Sequence, residues 1–185
     1  MNHNDFLIIG SGIAGLSLSI KLAEKYTDKK VTVITKNSEE ESNTRYAQGG
    51  IAVVLDNVTD SFDKHIQDTI RAGGGLNDRD VVHMVVHEAP DRLKEMISWG
   101  AEFDKNKSGD LDLGREGGHS EKRVVHHKDI TGYEMAQALI RRNDELDNVT
   151  VYEHFFAVEL ITEHHLPSRE YDKQNINCYG AYVFN

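Results

Sequence analysis

The sequence predicts an α/β fold, a parallel sheet with flanking helices, on three observations. A short apolar run, Phe6-Leu7-Ile8-Ile9, leads straight into Gly10-Ser11-Gly12-Ile13-Ala14-Gly15 and then a helical pattern through about Lys25. A second strand-like run, Val31-Thr32-Val33-Ile34-Thr35, follows at the distance of a right-handed strand–helix–strand crossover. Further on, Val149 to Tyr152, Phe156 to Ile161 and Ile176 to Phe184 have strand character. The last two read as the start of a β-meander, cut at Asn185 before any closing element, so an incomplete domain is expected.

Each element has its own warrant. Phe6 to Ile9 lacks polar residues and suits a strand buried on both faces. Asp28-Lys29-Lys30 turns the chain before the second strand. Residues 37 to 50 show neither helix nor strand period, and a loop of that length is a functional candidate; its Glu39-Glu40-Glu41 run reads as a solvated face. Phe62, Ile66 and Ile70 recur at helical spacing up to a stop at Gly73-Gly74-Gly75. Asn77 or Asp78 is placed to cap the next helix, whose apolar face carries Val81, Val82, Val85, Ala89, Leu93, Met96 and Ile97. Pro90 lies inside it and predicts a break or kink near His87 to Ala89. A second long loop runs from Asp104 to Ser120, and Arg123-Val124-Val125-His126 reads as a short strand. Thr131-Gly132-Tyr133-Glu134 matches a capping box and opens a helix through about Leu146, with Met135, Ala138 and Leu139 inward.

Composition narrows the function classes. At 185 residues, 38% hydrophobic and 28% charged, the chain has material for a sizeable core. Acidic residues outnumber basic ones 31 to 21, and the formal charge of -10 repels phosphate backbones, which argues against nucleic-acid binding. The lone cysteine, Cys178, excludes an internal disulfide and any multi-cysteine metal site, and suits a reducing, cytoplasmic setting. No apolar stretch approaches a membrane span, so no membrane partner is expected. No metal site is expected either, since His83 and His87 share a helix face without a third ligand.

Gly10-x-Gly12-x-x-Gly15, set between an apolar strand and a helix, is the Rossmann-like dinucleotide fingerprint in its proper context. Gly10 allows the tight turn, Gly12 lets the backbone approach a pyrophosphate, and Gly15 lets helix and strand pack closely. The amides and positive dipole end of the helix would hold the phosphates. The acidic residue that normally ends the second strand is missing, and Thr35-Lys36 stands there, which argues against an ordinary NAD site. Lys36 suits the extra phosphate of NADP. A flavin dinucleotide, its ribose held by a hydroxyl and backbone groups, is the other option.

The stretch Ser42-Asn43-Thr44-Arg45-Tyr46-Ala47-Gln48-Gly49-Gly50, with Gly10 to Gly15 and Thr35-Lys36, resembles the flavoprotein superfamily of fumarate reductase, succinate dehydrogenase and L-aspartate oxidase. The resemblance runs from about Asp5 to Asn185. It implies that residues 1–185 are the amino-terminal part of a Rossmann-like FAD-binding domain, without the capping domain and the carboxy-terminal FAD segment. By the same resemblance Gly10, Ser11, Gly12, Ile13, Ala14 and Gly15 meet the pyrophosphate, and Lys36 lies near the adenosine end. Asn43, Thr44, Arg45, Tyr46, Ala47, Gln48, Gly49 and Gly50 surround the flavin, and Phe156 and Ala157 match a backbone contact to adenine. Respiratory members carry Ser-His-Thr in this loop and join FAD through that histidine; Asn43 here implies non-covalent FAD.

Arg115-Glu116-Gly117-Gly118-His119-Ser120 resembles a stretch of the L-aspartate oxidases, where the respiratory members have an aromatic residue at the place of Glu116. His126 with Asp129-Ile130-Thr131-Gly132 matches the superfamily pattern as well. The resemblance implies FAD-dependent oxidation of L-aspartate to iminoaspartate, with oxygen or fumarate as electron acceptor. That reaction opens de novo NAD biosynthesis, and its product passes to quinolinate synthase. Glu116 fits this chemistry: a carboxylate receives the substrate ammonium by a charge-assisted bond of about 1.5 to 3 kcal/mol and repels a dicarboxylate that has no amine. The arginine and histidine that bind the substrate carboxylates lie later in the family, so the fragment alone is expected to be inactive. The alternative is a fumarate reductase or succinate dehydrogenase subunit, which Asn43 and Glu116 oppose.

Overall fold

The computed structural model describes residues 4–56, 58–165 and 175–185. In chain order the elements are β1 (Phe6–Ile9), α1 (Ile13–Lys25), β2 (Val31–Ile34), β3 (Ile51–Ala52), α2 (Phe62–Ala72) and α3 (Arg79–Ser98). They continue with β4 (Leu113–Gly114), β5 (Val124–Val125), α4 (Thr131–Asp144), β6 (Val149–Tyr152), β7 (Phe156–Thr162) and β8 (Cys178–Phe184). The chain divides into two compact units, one of Met1–Ser42 with Ile140–Asn185, the other of Asn43–Leu139.

The first unit is built on a parallel sheet in the order β1-β2-β6, with Phe6 beside Val31 and Val31 beside Val149. Ile8, Val31 and Val33 on one face meet Ala23 of α1, and Phe6, Leu22, Leu146, Val149 and Val151 surround that core. β2 is buried throughout, as a central strand should be. β1 is not the doubly buried strand expected, for Leu7 and Ile9 are 38% and 50% exposed. It lies at the edge of the described sheet, and α1 covers one of its faces. Asn148 ties α1 to the sheet, its amide donating to the carbonyls of Ala23, Tyr26 and Lys29. β7 and β8 form an antiparallel hairpin with Phe156 opposite Phe184. At its far end burial pushes the Glu163 carboxyl up, but hydrogen bonds from Asn177 and Tyr179 outweigh this and bring it to about 2.

In the second unit α2 and α3 pack through Ile66, Val82 and Val86, with Phe62 and Ile70 beside them. The Ser61 hydroxyl accepts from the Lys64 N–H to cap α2, and the Asp78 carboxylate accepts from the Asp80 and Val81 N–H groups to cap α3. α3 continues through Pro90 as one helix, so the break expected near His87 to Ala89 does not occur. The proline withdraws one donor, but Val82 and Val86 before it and Leu93 and Met96 after it are all buried, so packing on both sides sustains the helix. The buried face is also shifted: Val86 lies inside, while Val81, Val85 and Ile97 are 49%, 55% and 43% exposed.

A small antiparallel sheet, β3-β5-β4, completes this unit. The capping box expected at α4 does not form. Thr131 is already helical, its hydroxyl accepts from the His127 N–H, and the Glu134 carboxylate accepts from the Glu102 N–H. Among the described residues no helix is long and apolar enough to cross a membrane.

Candidate functional site

The first unit carries the glycine turn. Gly10 has φ +108°, and its N–H donates to the Ile34 carbonyl at 2.8 Å. Gly12 heads α1 with no side-chain cap and no acid in the first turn, so no anion of the helix itself serves its positive end. A Cβ on Gly15 would overlap the Gly10 carbonyl, so helix and turn approach as closely as only glycine permits. The Ser11 hydroxyl donates to that of Thr35 at 3.0 Å, with both residues buried, and fastens the turn to the end of β2. The Thr35 carbonyl accepts from Phe155 N–H at 2.9 Å and that of Asn37 from His154 N–H at 3.2 Å. Gly10 to Gly15, Lys36, Phe156 and Ala157 therefore gather beyond the carboxyl ends of β1, β2 and β6, where open α/β sheets bind nucleotides. An uncapped amide end, a close-packed glycine and an exposed Lys36 fit a dinucleotide.

Beside them stands a carboxyl that departs from expectation. Glu39 is half-buried rather than solvated, and its N–H donates to a Glu153 carboxylate oxygen at 2.6 Å. Burial first, then Asp144, Glu153 and Glu40, push its pKa up to about 7. Asp144 and Glu153 come from distant sequence, so the local run of acids could not disclose this.

The second unit carries residues 43 to 50, in tight turns. Ala47 N–H donates to Thr44 carbonyl at 3.2 Å, and Gly132 N–H to Ala47 carbonyl at 2.9 Å. A Cβ on Gly132 would overlap the Thr44 carbonyl, and one on Gly50 would overlap that of Val125. The segment thus lies backbone to backbone against β5 at Val125 and the start of α4 at Gly132, while Asn43, Tyr46, Ala47, Gln48, Gly49 and Gly50 stay exposed. The Arg45 guanidinium sits over the Tyr133 ring, 5.3 Å from its centre.

Glu116 follows β4. Its carbonyl accepts from His119 N–H at 3.2 Å and Gly118 has φ +87°, so Glu116-Gly117-Gly118-His119 is a tight turn that needs glycine at its third position. The Glu116 side chain is exposed, without a partner among the described residues. Gly50 and Arg115 leave the small sheet at opposite ends of the two-residue strand β5.

Behind this turn is a cluster that the sequence reading missed. Arg123, read only as the start of a strand, is 0% exposed. It grips Asp60 with two bonds of 2.7 Å and Asp68 with a third of 2.7 Å. The Asp68 carboxylate also accepts from the Ser120 N–H at 2.8 Å and its hydroxyl at 2.7 Å, and Arg123 meets His119 Nδ1 at 3.1 Å. Burial pushes both carboxyls up, but the Arg123 hydrogen bonds prevail and hold them below the usual carboxylate range. Elsewhere in this unit His126 Nδ1 meets Asp104 at 2.9 Å, and His87 stacks on His83 and Phe62.

Comparison with known proteins places this geometry. The family described as FAD binding domain matches residues 5–185. The chain is 48% identical over 177 residues to the L-aspartate oxidase, chloroplastic, of Oryza sativa subsp. japonica, covering 96% of this chain and 26% of that protein. It is 39% identical to the L-aspartate oxidase of Acinetobacter baylyi, with 96% and 32% covered. Among solved structures, a quinol fumarate reductase of E. coli matches with TM-score 0.81 at 29% identity, over 86% of this chain and 27% of that one. The Mycobacterium smegmatis Sdh1 complex matches with TM-score 0.81 at 30% identity, over 98% and 31%. The chain spans between 26% and 34% of the length of the curated relatives it matches.

Proposed function

The chain belongs to the FAD binding domain family, and from that premise we propose that it is the amino-terminal part of a flavin-dependent L-aspartate oxidase. The observation that carries this reading is Glu116, an exposed carboxylate without a partner among the described residues, on a glycine turn in a chain akin to proteins of that name. In this reading Gly10 to Gly15 hold the FAD pyrophosphate, Lys36, Phe156 and Ala157 the adenosine end, and Asn43 to Gly50 the flavin, without a covalent bond. Bound FAD supplies the acceptor for the electron pair that converts L-aspartate to iminoaspartate. Glu116 orients the substrate by accepting hydrogen bonds from its ammonium and turns away succinate, which has the same two carboxylates but no ammonium to pair with it. Oxygen or fumarate then takes the electrons, the step begins NAD biosynthesis in the cytoplasm, and quinolinate synthase consumes the product. The 185-residue stretch alone is inactive, because the groups for the substrate carboxylates lie outside it.

The respiratory-type structures share the fold, but Asn43 stands where the respiratory members carry the histidine that joins FAD, and Glu116 favours a substrate that bears an ammonium. Adding L-aspartate without oxygen to the full-length protein should bleach its flavin absorbance, and Glu116→Gln should lower kcat/KM about 10- to 100-fold. Bleaching by succinate in preference to aspartate would reverse the choice of substrate.

A further inference from the structure

Glu116 needs a fixed place to select an ammonium, yet nothing among the described residues touches its side chain, and Gly117 and Gly118 have none with which to pack. The fixed points come immediately after them. His119 and Ser120 are both held by the buried Arg123–Asp60–Asp68 cluster, Ser120 by two bonds to Asp68 and His119 by the Arg123 guanidinium. That contact presents an N–H to His119 Nδ1, which leaves the ring proton on Nε2 and the imidazole in one tautomer. Stability alone is a weak reason to bury such a cluster, since apolar replacements of buried ion pairs are often neutral or better. Directed bonds to consecutive residues of a glycine-rich turn are something that an apolar cluster cannot supply.

We infer that Arg123, acting through Asp68, Ser120 and His119, is a positioning residue that sets where the Glu116 carboxylate stands. This rests on the reading that Glu116 receives the substrate ammonium. Arg123 touches neither substrate nor cofactor in it; it determines substrate selection at one remove.

The test uses the full-length, flavin-loaded protein and five variants: Glu116→Gln, Ser120→Ala, Ser120→Thr, Arg123→Lys and the double variant S120A/E116Q. Ser120→Ala should raise KM for L-aspartate about 10-fold and Arg123→Lys about 100-fold, the scale expected when a binding group is misplaced by an ångström or less. The inhibition constant of succinate, which has no ammonium, should not rise, and falls where the Glu116 charge moves away from it, while Ser120→Thr, which keeps the hydroxyl, should retain aspartate binding. The double variant should match Glu116→Gln alone, because a side chain that no longer binds gains nothing from being placed. Multiplying effects in the double variant, or succinate weakened in parallel with aspartate, would overturn the positioning role while leaving the Glu116 reading intact. Unchanged aspartate kinetics in Glu116→Gln would sink that reading and the positioning role with it. Should Arg123→Lys fail to fold, Ser120→Ala decides, since it keeps the backbone bond to Asp68.

Discussion

Two glycine turns, one in each unit, put the same backbone device to opposite uses. Gly10 at φ +108° and Gly118 at φ +87° both occupy the left-handed region. The first turn ends in the amides of α1, with no cap side chain and no first-turn acid, and suits an anion. The second begins at Glu116, whose carboxylate has no partner among the described residues, and suits a cation. They also differ in what holds them. The first is held by its own neighbourhood, namely the Gly15 contact and the Ser11–Thr35 pair across adjacent strands. The second is held by Arg123, whose partners Asp60 and Asp68 stand 63 and 55 positions away in sequence. A turn that binds through its backbone can be specified locally. A turn that presents one side chain must be braced from elsewhere.

The sharpest way to break this contrast is to remove the brace. Arg123→Met leaves Asp60 and Asp68 as buried, uncompensated charges and should cost about 3–5 kcal/mol of stability, read from urea denaturation. A loss below about 1 kcal/mol would mean that the turn stands without the cluster. The matching change in the first unit is Gly15→Ala. Its methyl group must displace the Gly10 carbonyl, at a cost of about 1–3 kcal/mol, with a parallel fall in FAD content of the full-length protein. Normal FAD content would show that the close approach does not shape the phosphate turn.

The same contrast explains what could be read in advance. The parallel sheet, the glycine turn and the stop of α2 at Gly73 follow from periodicity and glycine placement, which act over a few residues. β1 looked doubly buried because its four residues are all apolar, but burial depends on what lies across the sheet, and Leu7 and Ile9 show that one face is open. Pro90 looked like a break because a lost hydrogen bond is a local fact, whereas Val82, Val86, Leu93 and Met96 hold the helix by tertiary contact. Thr131 and Glu134 had the spacing of a capping box, yet His127 and Glu102 claim their side chains. Glu116 could be noticed by resemblance. Arg123 could not, since an arginine beginning a short strand gives no hint of two aspartates in and before α2.

A gentler probe is pH, which should move the two units in opposite directions. His65 in the second unit is buried with Nδ1 unpaired among the described residues, and burial first, then Arg123 and His119, lower its pKa to about 4. Against an ordinary value of 6.5, the unfolded chain binds the extra proton between pH 6.5 and 4, so the stability present above 6.5 drains away as pH falls. The loss should be about 1 kcal/mol between pH 6.5 and 5.5, and His65→Leu should abolish that slope. Asp60 and Asp68 leave this window flat, because carboxyls held low lose their contribution only below the unfolded carboxylate value. Glu39 in the first unit has the reverse sign: a carboxyl raised from 4.5 to about 7 is better tolerated protonated, so stability is lost as pH rises through that interval. Its effect should be the smaller, since Glu39 is only half-buried and water screens it. Amide protection factors separate the two: those of α2 should fall as pH drops from 6.5 toward 5, those of β2 as pH rises from 4.5 toward 7, with Glu39→Gln removing only the second trend. Protection in β2 that stays flat between pH 4.5 and 7 would show that Glu39 is solvated after all.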